Sequence, residues 1–393
     1  MTLPPRVSLV AEKTYDRRAV DDALQKLLDP LGGMESFVKP GDRVIVKPNL
    51  ILAKAAHVAA TTHPEVVGGV CRLALDCGGR VSVGDSPGRG SVRRVAAAAG
   101  YMPMLEDLGI DLVEFTPDEI VVDHEEDRGN GGGGRGPQGV CTRLTLAAEL
   151  LDADLVINVP KLKTHGMMLM TMAVKNLFGA VLGLQKFQWH LRAGKDKALF
   201  GRALYEICCA VNPGLSIVDA IISMDGEGPT SGDPNPTGFL AAGADPSAVD
   251  AVLMDIVGLE RSGLQTLNAA AAAGDEAWKK AEVVGASVDE LKPASWTLSN
   301  AQSAALPLPV FCQKIPFLRE WLRTQATAKP VSVRDKCVQC GDCVALCPAQ
   351  VMTLADEGVA IDHARCIRCY CCQELCPYEA IETRKGFLGR LLS

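Results

Sequence analysis

Short apolar runs along the chain alternate with longer segments whose apolar residues recur every three to four positions. The runs Arg6–Glu12, Arg43–Val46, Arg80–Val83, Asp111–Phe115, Leu155–Val159 and Leu215–Met224 read as strands. Between them lie segments with helical period. Asp16–Leu31 stops before Gly32-Gly33, and a second helix starts with Thr62 as N-cap, Pro64 in its first turn and Glu65 closing a capping box. That helix reaches Cys77 and stops at Gly78-Gly79, and another around Ala96–Ala99 is closed by Gly100. Thr145–Ala153, Leu199–Val211, Asp250–Leu259 and Leu264–Ala273 complete the helical segments. Strands alternating with helices of this size predict βαβ units and an α/β domain built on a largely parallel sheet.

The pattern breaks in three places. Residues 130–139 are too glycine-rich to bury a core and predict a loop, either a lid over a site or a tolerated insertion. Residues 306–329, with Pro307, Pro309 and Pro316, read as a linker, so that 1–305 forms the α/β domain and 330–381 a small second domain. The tail, 382–393, is basic and amphipathic, and either packs back on the protein or touches a membrane surface.

Four strands run into charged, turn-rich sequence: Lys47-Pro-Asn49, Gly84-Asp-Ser-Pro-Gly88, Pro160-Lys-Leu-Lys-Thr-His165 and Met224-Asp-Gly-Glu-Gly-Pro-Thr230. In an open α/β sheet, ligands sit outside the carboxyl ends of strands. These loops are therefore expected to bring Lys47, Asn49, Lys161, Lys163, Lys175 and Asn176 together as binders of a carboxylate or phosphate. His165 and Asp85 are the expected proton carriers, with Asp225 and Glu227 nearby. Alternation along the segment after Pro160 would turn Lys161, Lys163 and His165 toward one ligand, while Lys54 stands outside every motif.

The second domain is organised by cysteine. Cys337-x-x-Cys340-x-x-Cys343-x-x-x-Cys347-Pro348 recurs as Cys366-x-x-Cys369-x-x-Cys372-x-x-x-Cys376-Pro377. Zinc sites use separated Cys-x-x-Cys pairs and do not account for this run. It resembles the bacterial two-cluster ferredoxins, a small α+β fold, in which the fourth ligand of each cluster comes from the other copy. The resemblance implies two [4Fe–4S] clusters, one on Cys337, Cys340, Cys343 and Cys376, the other on Cys366, Cys369, Cys372 and Cys347. Cys371 departs from the pattern and is expected to be a bystander. Asp356-Glu-Gly358, flanked by Val351–Leu354 and Val359–Ile361, predicts a hairpin between the copies.

Composition narrows the field. A net charge of −7 argues against nucleic-acid binding, and no apolar run is long enough for a transmembrane span. Fifteen cysteines behind an N-terminus without an apolar or twin-arginine signal lead to the expectation of reduced thiols and metal ligation in the cytoplasm. No Gly-x-Gly-x-x-Gly or Walker motif follows a strand, so no dinucleotide or P-loop nucleotide is expected.

The motifs Lys47-Pro-Asn49, Thr62-His-Pro64, Gly84–Gly88, Pro160–His165, Lys175-Asn-Leu-Phe-Gly179 and Asp225–Gly232 jointly resemble the DUF362 family of iron–sulfur proteins. Its members often carry a C-terminal two-cluster ferredoxin module, and the family itself implies no particular reaction. Two functions follow. One is an oxidoreductase relaying single electrons through the clusters to an anionic substrate or cofactor at the strand-end loops, served by a redox protein partner. The other is a non-enzymatic electron carrier or adaptor docking to a separate enzyme.

Overall fold

The computed structural model describes residues 3–122, 140–302 and 327–385. The glycine-rich stretch, most of the expected linker and the last residues of the tail lie outside the described residues. In chain order the strands are β1 (Arg6–Ala11), β2 (Arg43–Pro48), β3 (Arg80–Gly84), β4 (Asp111–Val113), β5 (Pro117–Val121), β6 (Arg143–Ala147) and β7 (Leu155–Val159). There follow β8 (Lys161–His165), β9 (Leu169–Thr171), β10 (Leu215–Asp225), β11 (Asp233–Asn235), β12 (Phe239–Gly243) and β13 (Glu282–Gly285).

The main sheet has the order β13-β1-β12-β10-β7-β2-β3-β4. From β10 through β7, β2 and β3 to β4 every pairing is parallel, and β12 alone runs antiparallel to both of its neighbours. The fold is thus α/β with a largely parallel sheet. Every residue of β7, at its centre, is buried, as its unbroken apolar sequence requires. Helices Arg17–Leu28 and Pro64–Asp76 cover one face over Val44, Val46 and Ile157. Helix Lys197–Val211 covers the other over Ile45 and Val156.

Three local expectations need correction. Thr145–Ala153 is a helix only from Ala148 to Leu151; Arg143–Ala147 is a strand pairing antiparallel with β5, consistent with the alternation of Leu144 and Leu146. The N-cap of helix Pro64–Asp76 is His63, whose ring accepts from the Glu65 amide, while the Thr62 hydroxyl donates to the Val159 carbonyl. Pro160 does not end the edge in a loop. The chain passes through it into β8, because β10, eleven residues long, pairs with β7 near Leu215 and then with β8 from Asp219 to Met224. Lys161–His165 is therefore a fully buried strand.

The second domain contains β14 (Lys329–Ser332), β15 (Met352–Ala355), β16 (Gly358–Ile361) and β17 (Ile381–Arg384). β15 and β16 form the expected hairpin, and β14 pairs with β17. The Asp225–Gly232 loop holds this domain against the first. Glu227 accepts from the Thr383 hydroxyl and from the Asn300 amide at 2.6 Å, and its carbonyl accepts from Gln373 Nε2 at 2.8 Å. Thr230 donates to the Glu374 carbonyl at 2.9 Å, and Arg89 pairs with Asp342. Replacing Glu227 with alanine strands the Thr383 hydroxyl of the second domain and the Asn300 amide of the first, while the Gln373 bond to the backbone carbonyl remains. The change is expected to weaken docking by about 1.5–3 kcal/mol, the range for a hydrogen bond to a charged group. Faster amide exchange in β14 and β17 is the expected readout, and wild-type protection there would contradict the assignment.

Candidate functional site

Strand ends β2 and β3, strand β8 and the helical turn Ala173–Asn176 converge on one cavity of about 90 Å³. A single buried water needs about 10–15 Å³, so the cavity takes several waters or one small organic molecule. Of the residues expected from sequence, Asn49, Asp85, Lys163, Lys175 and Asn176 line it. Its far wall belongs to the second domain: Cys371, Glu374 and Leu375.

The polar groups around this cavity differ in how much of their bonding is already used. Asp85 pairs with the buried Lys47 ammonium at 2.7 Å and also accepts from the amides of Leu50 (2.7 Å) and Ser86 (2.9 Å). Gly179 makes room for that pair, since a Cβ there would sit 2.2 Å from Asp85 Oδ1 and 2.5 Å from Lys47 Nζ. The Lys163 ammonium donates to Asn49 Oδ1 and to the Ala60 carbonyl, both at 2.7 Å. Asn49 in turn donates to Asn176 at 2.8 Å, and Asn176 to Asn158 at 2.8 Å. Burial holds the pKa of Lys163 well below the usual lysine value, and Lys175 and Lys161 push it the same way.

Three of the expected residues lie off the cavity: Lys47, whose ammonium is spent on Asp85, Lys161 and His165. Lys161 is spent on Asp219 at 2.7 Å and on the Tyr15 hydroxyl at 2.8 Å, within a buried cluster. His165 accepts through Nδ1 from the amides of Met167 and Met168, which leaves its proton on Nε2. That atom is 3.1 Å from Glu374 Oε1 but out of line for a good hydrogen bond. Asp225 and Glu227 also turn away, toward Asn235 and Thr383 respectively, and Pro229 is the member of their loop that reaches the cavity. Lys54, outside every sequence motif, bonds Glu379 of the second domain at 2.5 Å and the Thr230 carbonyl at 2.6 Å, so it belongs to the docking contacts.

Sequence reading missed Lys186, His190, Phe187 and Glu374. The first three come from a helix, Gln185–Ala193, that carries no motif. The available signal was the i, i+4 spacing of Lys186 and His190, which places them on one helix face. Lys186 donates to the hydroxyl of Ser86 at 2.9 Å and to the Ser86 carbonyl. Burial brings its pKa down to about 7, against the pull of Asp85 and with help from Lys47 and Lys175. Burial lowers that of His190 to about 3, so the ring is neutral.

The cysteines form two sets. Cys337, Cys340, Cys343 and Cys376 surround one cavity; Cys347, Cys366, Cys369 and Cys372 surround another. Equivalent positions of the two copies share left-handed backbone: Gln339 with Arg368, Gly341 with Tyr370, and Gln350 with Glu379. The crossing cysteines accept from backbone amides four residues on, Cys347 from Val351 at 3.5 Å and Cys376 from Ala380 at 3.3 Å. Four sulfurs around a space, with amides aimed at them, suit an iron–sulfur cubane. Among the described residues no group of three His, Cys, Asp or Glu converges on a point as a single-ion site requires. Cys371 lies outside both sets and faces the lysine-lined cavity.

Comparison with known proteins agrees with both halves. The profile described as "Domain of unknown function (DUF362)" matches residues 44–255, and that of the 4Fe-4S dicluster domain matches residues 336–380. The thylakoid-associated protein sll1697 of Synechocystis sp. is 43% identical over 263 residues, covering 67% of this chain and 78% of that protein. Among solved structures, the lactate racemase apoprotein from Thermoanaerobacterium thermosaccharolyticum is similar at a TM-score of 0.37 and 13% identity. That match covers 63% of this chain and 57% of the racemase, so the chain spans little more than half of that protein's length. Among the described residues no helix is long and apolar enough to cross a membrane. The chain belongs to the DUF362 family and carries a C-terminal ferredoxin-type 4Fe-4S domain, which makes it an iron–sulfur electron-transfer protein.

Proposed function

We propose that the protein is an oxidoreductase that passes single electrons through two [4Fe–4S] clusters to a small anion held in the lysine-lined cavity. One observation carries the reading. The turn Cys371–Glu374, which contains the ligand Cys372, is also a wall of the cavity, so one cysteine set and the anion site share an element. When bound, clusters on these thiolates supply one-electron chemistry, generally at low potential. The two sets differ in exposure. In the first set Cys340 is exposed, Cys337 and Cys343 half-buried and Cys376 buried; in the second Cys366 and Cys369 are buried, Cys369 among residues of the α/β domain, and Cys347 and Cys372 half-buried. The more exposed set suits a docking redox protein, and the more buried set suits delivery to the cavity.

The chain's own residues divide the remaining work. Asp85 holds Lys47 in place and has its oxygens occupied, so it positions another group, and His165 lies off the cavity with its Nδ1 spent on backbone amides. Lys186 lines the cavity with a proton that leaves near neutrality, and we assign it as the proton donor. Thiolate ligands favour a reduced compartment, so the reading keeps the protein in the cytoplasm.

The test uses anaerobic, reduced protein mixed with a panel of small carboxylates and with inorganic phosphate, following reoxidation of the iron–sulfur absorbance. Acceptor-dependent reoxidation that Lys186→Met slows, with reduction by the electron donor unchanged, is the expected result. Reoxidation only by other proteins, unaffected by any change in the cavity, would make the chain a carrier or adaptor.

The pH dependence has a definite sign. Asp85, Lys47 and Lys175 face Lys186, and His190 on its own helix is neutral. A bound anion raises the pKa of Lys186. Below about pH 7 the ammonium is already present, and above it the proton must be taken up with the anion. Affinity should therefore fall with rising pH above neutrality, by up to about tenfold per unit. Calorimetry on both sides of neutrality checks it, and affinity that rises with pH would remove Lys186 from the site.

A further inference from the structure

The unspent donors of the cavity identify the ligand more closely, taking from the functional reading only that the cavity is the anion site. Lys47 has a carboxylate partner, Lys163 is held by two oxygens, and Lys186 by Ser86. Lys175 also lines the cavity, and among the described residues its ammonium makes no hydrogen bond or ion pair. Three more polar atoms of the lining are buried without partners: Thr171 Oγ1, on a residue 3% exposed, His190 Nδ1, on one 5% exposed, and the carboxylate oxygen Glu374 Oε1, an acceptor beside these two possible donors. Lys175 is half-buried and feels the Glu374 carboxylate without forming an ion pair with it, and an unpaired hydroxyl or imidazole beside it is costly. A ligand carrying one negative charge and two or more acceptor atoms would satisfy Lys175, Thr171 and His190.

The rest of the lining argues against phosphate. Phosphate sites usually present several free backbone amides, at a long helix N-terminus or in a nest. Here the strand-end amides of Leu50 and Ser86 are already committed to Asp85. The lining also holds Phe178, Phe187 and Leu375, an apolar surface that a hydrated inorganic anion would leave unused.

We propose that the cavity binds a small organic monocarboxylate, its carboxylate on Lys175 with Thr171 and His190 beside it, and its apolar body against Phe178, Phe187 and Leu375. Carboxylate oxygens offer about four acceptor sites, enough for the three groups. The volume of about 90 Å³ restricts the body to a single ring or a short chain.

Equilibrium binding to the oxidised, anaerobically purified full chain tests this with benzoate, the neutral isostere benzamide and inorganic phosphate. Benzoate should bind at least about tenfold more tightly than either of the others, and Lys175→Met should weaken it by about ten- to hundredfold. Iron content, visible absorbance and melting temperature of that variant should match the wild type. Phosphate binding as tightly as benzoate, no measurable binding of benzoate, or unchanged benzoate affinity in Lys175→Met would each overturn the proposal. The assay needs no electron transfer. Benzoate binding without turnover of any acceptor would sink the oxidoreductase reading alone, and turnover without carboxylate binding would sink this inference alone.

Discussion

Replacing Cys372 with alanine should remove or convert the iron held by the second cysteine set, whereas replacing Cys371 should leave iron unchanged. Two cubanes hold about eight irons and eight acid-labile sulfides per chain, so the first variant should fall toward about half. The two residues are adjacent, and the difference lies in where each side chain faces. On the turn Cys371–Glu374 neighbouring side chains point about 100° apart. Cys372 looks into the space it shares with Cys347, Cys366 and Cys369, and Cys371 looks into the lysine-lined cavity. Iron and sulfide assays with EPR of the reduced protein decide it. Iron loss in Cys371→Ala, or a single-cubane signal near four irons in the wild type, would refute the ligand assignment.

The largest loss of stability is expected from Lys161→Met. Lys161 and Asp219 are both essentially without solvent contact, 2.7 Å apart. Asp219 also accepts from the Tyr15 hydroxyl and from the His63 amide, both at 2.9 Å. Removing one partner leaves a buried carboxylate without its counter-ion, which costs about 3–5 kcal/mol. The same change at Lys175 removes a half-buried charge that makes no hydrogen bond or ion pair among the described residues and should cost far less. Urea titration of the two variants separates them. If Lys161→Met kept its stability and lost anion binding instead, Lys161 would belong to the ligand site.

The cluster ligands show how far sequence reaches. Three cysteines spaced on one loop, a fourth before proline, and the whole repeated, carry the resemblance to two-cluster ferredoxins that implies their sets. Any chain that folds around a cubane must meet that spacing locally. The start of the first helix at Asp16 is likewise local, its side chain accepting from amides two and three residues on. The parallel order of β2, β3 and β4 follows from the alternation of apolar runs with helices.

The lysines show where that stops. Lys161 and Lys163 lie two apart on the same strand, yet one binds Asp219 and the other Asn49. Partners so distant in the chain are chosen by packing, and no local pattern encodes them. The same holds for Pro160, where the long reach of β10 continued a strand that proline and charge had marked as ended. Spacing along the chain thus marked the two cysteine runs and most of the strands by itself. Only the tertiary structure decided which ammonium stays unpaired, and that the cavity is closed by the cysteine-bearing turn of the second domain, because burial and partner choice depend on contacts between distant segments.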